Sequence, residues 1–83
     1  MITIYTKNYC PYCKAAEALL DSLKVKYENI DITDKPELTD ELAKKSGMLT
    51  VPQIFVGEKC LGGFSDIDAL NKEGKLLAAL GQE

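Results

Sequence analysis

A chain of 83 residues, 46% hydrophobic and 28% charged, has the composition of one soluble globular domain spanning residues 1–83, near the lower size limit for a single core. Its net charge of -3, with ten scattered lysines and no arginine, argues against nucleic acid as a partner, because phosphate binding needs a concentrated basic face. Histidine is absent, so any chemistry rests on sulfur, carboxylates, lysine and backbone groups.

Ile2, Ile4 and Tyr5 in "ITIYT" predict a short buried strand. From Pro11 to about Lys24 the apolar residues Ala15, Ala16, Leu19, Leu20 and Leu23 recur at three and four, which predicts an amphipathic helix. Proline suits the first helical position, where an amide has no internal partner, and this puts Cys10 at the N-cap. "KYENIDI", Lys26 to Ile32, reads as a second strand, and "TDKPEL" opens a short helix that stops at Gly47 after Ser46. "VPQIFV", Val51 to Val56, predicts a third strand, turned by Gly57 and Glu58 into a fourth, "KCL". Gly62 and Gly63 break that strand. Ser65 is then expected to cap a last helix whose apolar face is Ile67, Leu70, Leu76, Leu77 and Leu80, with an interruption at Gly74. The order is an α/β one, with the first two strands parallel in a small mixed sheet and the helices covering it.

The start of the chain lacks the charged and apolar pattern of a signal peptide, and the longest apolar block, Leu76 to Leu80, is far too short to cross a membrane. The expectation is a cytoplasmic protein with no membrane partner. Three cysteines, unevenly placed, also fit a reducing compartment better than a secreted disulfide scaffold.

Two of those cysteines, Cys10 and Cys13, open the first helix. Only the thiolate is a good nucleophile, and the unpaired amides and dipole of a helix N-terminus favour negative charge there. Lys7, three residues earlier, adds a positive charge. Cys10 is therefore the attacking thiol by position, and Cys13, one turn inside the helix, can attack a mixed disulfide on Cys10 and resolve it. Other readings of a C-x-x-C pair are weaker. A zinc site would need two more ligands from one cysteine and carboxylates, and a purely structural disulfide across so small a loop would restrict the unfolded chain little. No metal site is expected. Cys60, on the fourth strand, reads as a small packed hydrophobe.

The chain resembles the glutaredoxin family over nearly its whole length. Four segments carry the resemblance in order: "YTKNYCPYC" from Tyr5, "TVPQIFV" from Thr50, "GG" at Gly62 and Gly63, and "SD" at Ser65 and Asp66. "CPYC" is the dithiol active-site form of that family. The resemblance implies a thioredoxin-like fold, a four-stranded mixed sheet with helices on both faces. It also implies a glutathione-dependent thiol-disulfide oxidoreductase that reduces protein-glutathione mixed disulfides and other disulfides, with no permanently bound cofactor and glutathione as the electron-donating co-substrate.

Each residue that the resemblance assigns to glutathione also has a physical reading. The Val51–Pro52 bond is cis in the family's pattern, which would turn the Val51 amide and carbonyl, beside Thr50, toward the cysteinyl part of the tripeptide; otherwise Pro52 simply begins an edge strand. Gly63 permits close approach of a ligand backbone. Amides at Ser65 and Asp66, with the Asp66 carboxylate, match the carboxylate and ammonium of a γ-glutamyl end, and a plain helix cap explains the same two residues. Tyr12 either flanks the ligand or is a surface aromatic. Lys7 is left almost alone to hold the glycyl carboxylate, because Leu49 and Thr39 stand where family members often carry polar donors.

The partners implied are glutathione, glutathionylated proteins and, as a disulfide substrate, an enzyme such as ribonucleotide reductase; the chain is expected to be a monomer. Two rival readings remain at this stage. One is a redoxin fed by thioredoxin reductase and serving ribonucleotide reductase. The other is a binding module sharing a [2Fe-2S] cluster between two subunits, against which Pro11 and Cys13 argue.

Overall fold

The computed structural model describes residues 1–48 and 50–81, so Leu49 lies outside the described residues. Eight elements follow in order: β1 (Ile2–Thr6), α1 (Pro11–Ser22), β2 (Glu28–Asp31), α2 (Pro36–Ser46), β3 (Gln53–Val56), β4 (Lys59–Gly62), α3 (Phe64–Lys72) and α4 (Leu76–Ala79). The strands form one sheet in the order β2-β1-β3-β4, with β1 parallel to β2 and the other pairs antiparallel.

The period of two along the strands divides the core between the faces of the sheet. Ile2 and Ile4 of β1 and Ile54 of β3 point to one face, where they meet Ala16 and Leu20 of α1, Ile67 of α3, and Leu76 and Leu80 at the C-terminal end. Phe55 points to the other face and packs with Ile32 and with Leu42 of α2. Tyr5 meets the Phe55 ring edge-on there, the centroids 5.5 Å apart. Helices therefore cover both faces, and the two central strands, with Ile4 and Ile54 fully buried, run through the middle of the core. Cys60 is half-buried against the Phe55 cluster.

Element boundaries depart from the sequence reading where backbone chemistry overrides pattern. β3 begins at Gln53 and not at Val51, since Pro52 has no amide to give to the ladder. β2 is confined to Glu28–Asp31, and α1 stops at Ser22, after which Lys24 takes a positive φ of 58°. α2 ends as expected at Gly47, whose left-handed φ of 74° lets its amide reach the Ala43 carbonyl. The last helix is two helices, parted at Gly74. Ser65 is not the cap of α3. That helix starts at Phe64 with Gly63 as N-cap, and the carboxylate of Asp66, three residues on, accepts the Gly63 amide at 2.8 Å in the place of a side-chain cap. Among the described residues, no helix is long and apolar enough to cross a membrane.

Candidate active site

β1 delivers the chain to a tight loop that ends at Cys10, and α1 begins at once with Pro11. The loop is fastened at three points. The Cys10 amide donates to the Lys7 carbonyl at 3.2 Å, the Asn8 amide donates to the Thr33 hydroxyl at 2.9 Å, and Thr33 is itself bound to the carboxylate of Asp31. Those Thr33 donors hold the exposed Asp31 carboxyl below its ordinary range. The loop bearing the thiol is thus moored to the end of the neighbouring parallel strand.

Cys10 is the N-cap of α1 and caps it with sulfur: its Sγ accepts the Cys13 amide at 3.2 Å. This interaction is worth more to an anion than to a neutral thiol, because the donor is one of the unpaired first-turn amides. On its other side the Cys10 thiol lies 3.6 Å from the Val51 carbonyl, to which it can donate while protonated. Only 9% of Cys10 is exposed, so the attacking atom presents one edge.

Cys13 differs sharply. Burial pushes its thiol up to about 12, with a further push from the neighbouring Cys10 sulfur, against which a hydrogen bond from the Lys7 backbone acts; the Glu17 carboxylate one turn on adds a small repulsion. Glu17 is held by the amide of Asn29, whose carbonyl oxygen accepts the Thr6 hydroxyl at 2.8 Å. Cys13 therefore stays a neutral thiol through the physiological range. The folded chain holds this proton more tightly than the unfolded one, so the thiol's contribution to stability is intact below about pH 9 and declines as the pH rises toward 12.

Iodoacetamide at pH 8 should consequently label Cys10 at least about a hundredfold faster than Cys13, with Cys13 labelling accelerating as the pH is raised. Peptide mass spectrometry of the time course would read this out, and comparable labelling of the two thiols at pH 8 would contradict the asymmetry.

A cleft of about 450 Å³ opens next to this site; neither Cys10 nor Cys13 lines it, and Val51, whose carbonyl lies 3.6 Å from the Cys10 sulfur, joins the two. One wall is Thr50, Val51 and Pro52, with the Val51–Pro52 peptide bond cis. The opposite wall is Gly63, Ser65 and Asp66 at the start of α3, and exposed Tyr12 closes one side. Seven of the residues singled out from sequence thus line one space. Lys7 does not. It lines a separate cleft of about 240 Å³ with Thr39 and Asp40, its ammonium 6.0 Å above the Tyr9 ring.

Two wall residues escaped the sequence reading. Phe64 sits against Tyr12 with the ring centroids 6.1 Å apart, and Met48, in the α2–β3 loop, lines the same cleft. Phe64 follows the glycine pair directly, a position that could have marked it; nothing in the sequence marked Met48. Gly62 is also forced by geometry, because it adopts φ 107° and a Cβ there would collide with the Asp66 carboxylate.

The glutaredoxin family model matches residues 2–61, most of the chain and all of β1 through the third residue of β4. The chain belongs to the glutaredoxin family. It is 48% identical over 79 residues to a glutaredoxin of Pseudomonas aeruginosa, covering 95% of this chain and 94% of that protein. With glutaredoxin 3 of Escherichia coli K12 it shares 43% identity over 75 residues, 90% of each. Among solved structures it resembles a buckwheat glutaredoxin-glutathione complex with a TM-score of 0.90 at 28% identity, over 98% of this chain and 76% of that one. The architecture is thus the thioredoxin-like fold of glutaredoxins, and the chain is a thiol-disulfide oxidoreductase, with Cys10 and Cys13 at the only helix N-terminus among the described residues that carries a thiol pair.

Proposed function

We propose that this glutaredoxin draws its electrons from glutathione and acts chiefly on protein-glutathione mixed disulfides. The observation that carries the reading is the cleft itself: Val51 along one wall, its carbonyl 3.6 Å from the Cys10 sulfur, and a helix N-terminus with a carboxylate on the other. Glutathione has a thiol, peptide groups and a zwitterionic γ-glutamyl end in that order. Backbone pairing at Val51 would hold its cysteinyl part, and the α3 amides would take the γ-glutamyl carboxylate. Asp66 spends one acceptor on Gly63 and retains capacity for the ammonium. The buckwheat relative of the same fold was solved with glutathione.

In the proposed cycle the Cys10 thiolate attacks the glutathione sulfur of the substrate. A Cys10–glutathione disulfide forms, the substrate S–S bond breaks, and the substrate leaves as a thiolate that takes a proton from water. The thiolate of a second glutathione then attacks the bound one, giving oxidised glutathione and restoring Cys10. With a protein disulfide such as that of ribonucleotide reductase, Cys13 loses its proton and attacks the Cys10 sulfur instead. The reduced protein is released, and two glutathiones later reduce the Cys10–Cys13 disulfide. Burial keeps Cys13 protonated in the free protein, so it has to give up that proton before it can attack. Lys7 is read as a distal contact for the glycyl carboxylate, reached from its own cleft, and the 1–83 unit as a cytoplasmic monomer with no resident cofactor.

The test is the initial rate of reduction of a glutathionylated peptide by glutathione, coupled to glutathione reductase, for the wild type and for Cys13→Ser. The expected result is wild-type turnover that the variant retains to within about threefold, since one thiol suffices for this route. Absence of wild-type turnover, with Cys10 still alkylated by iodoacetamide, would sink the glutathione reading and favour electrons from thioredoxin reductase.

A further inference from the structure

Gln53 is a polar side chain, 2% exposed, at the first position of β3, on the face that Phe55 shares. Its amide nitrogen donates to the carbonyls of Thr50 at 2.9 Å and Met48 at 3.1 Å, which uses both of its hydrogens. Turned the other way, the amide would set its oxygen against two carbonyl oxygens, so this orientation is fixed by the neighbours. Its oxygen is buried and has no partner among the described residues. A position tuned for stability alone would hold an apolar side chain here, like Phe55 two residues on.

The two carbonyls belong to the loop between α2 and β3, whose other end is tied by Ser46: its hydroxyl donates to the Leu42 carbonyl at 2.8 Å and accepts the Met48 amide at 3.1 Å. Between those anchors lies the Thr50–Val51 peptide. In a trans peptide the carbonyl and the following N–H point in opposite directions. A Thr50 carbonyl drawn inward to Gln53 therefore sends the Val51 N–H outward, toward the cleft that Thr50 and Val51 line.

We propose that Gln53 is a positioning residue that aims the Val51 N–H into the cleft by holding the Thr50 carbonyl, a role that rests on the glutathione reading of that cleft. Gln53 touches no substrate. It acts on substrate docking through the Thr50–Val51 peptide and hydrogen-bonds neither Cys10 nor its helix; the Val51 carbonyl, 3.6 Å from the Cys10 sulfur, is the link between them.

Gln53→Leu keeps bulk and burial and removes both donors. In the glutathionylated-peptide assay it should raise KM about tenfold, the loss of one well-aimed hydrogen bond, while kcat and the rate of Cys10 alkylation by iodoacetamide stay within about threefold of the wild type. A folded variant with unchanged KM, or one in which alkylation falls as far as turnover, would overturn the proposal. Should the variant not fold, amide hydrogen exchange decides on the native side chain. A Val51 amide that exchanges rapidly in the free protein, and becomes protected when Cys13→Ser carries glutathione on Cys10, supports the proposal; one already protected in the free protein faces inward and refutes it. A wild type without turnover would remove the glutathione reading itself, whereas wild-type turnover with unchanged KM in Gln53→Leu removes only the role of Gln53.

Discussion

Cys10→Ser is expected to lower thiol-disulfide exchange by about a thousandfold or more, because a serine hydroxyl offers no accessible anion at neutral pH and cannot form the mixed disulfide. The loss would not come from unfolding. Serine is among the best N-cap residues, so its oxygen takes over the Cys13 amide that the Cys10 sulfur now accepts, and α1 keeps its start. The thermal midpoint of the variant should therefore lie within a few degrees of the wild type while its turnover vanishes. Retained turnover would mean that Cys13 or Cys60 is the attacking thiol. Cys13 is poorly suited to that role, since it is 1% exposed and keeps its proton. Cys60 packs against the Phe55 cluster on the opposite side of the hairpin from the helix dipole that Cys10 uses.

Ile54→Ala should have the largest effect on stability. Ile54 lies on a central strand, fully buried, directly paired with Ile4 of β1 and covered by α1 and α3. Truncation leaves a cavity that the surrounding side chains fill only in part, at a cost of about 2–5 kcal/mol. In a domain of this size each kcal/mol corresponds to roughly 4–8 °C in the midpoint, and total stability is only about 5–15 kcal/mol. Urea unfolding should show a lower midpoint with an unchanged slope. A midpoint equal to that of the wild type would mean that the Ile4–Ile54 contact is not the centre of the core.

Both variants sit next to β1, Ile54 paired with its Ile4 and Cys10 at the end of the loop it launches. Its alternating residues, Ile2 and Ile4, build the core, and its C-terminal end launches the loop to Cys10. Thr6, the last residue of the strand, is buried and belongs to neither function alone; through Asn29 it joins the strand to Glu17 on α1. A small domain thus uses one strand to fix the nucleophile in place, with the Asn8 amide donating to the Thr33 hydroxyl to fasten the loop that follows.

By itself the sequence determined the order and type of the elements, because period-two and period-three-to-four patterns depend only on neighbours along the chain. It also determined that Cys10 caps α1: proline at the next position and the apolar face behind it leave no other start. The start of α3 was not legible in this way. Gly63 has no capping side chain, and its place was secured by Asp66 reaching back across a backbone that only Gly62, at φ 107°, could supply. Nor could the sequence separate Lys7 from the main cleft or bring Met48 and Phe64 to its walls, since those relations join separate segments of the chain. Gln53 shows the limit most plainly. The strand pattern of "VPQIFV" singled it out for no role, and only the folding of the α2–β3 loop over it turns it into a buried donor to two carbonyls. Local pattern fixes what each segment becomes; which polar groups end up facing one another is decided when the segments pack, because burial then leaves each of them to find a partner.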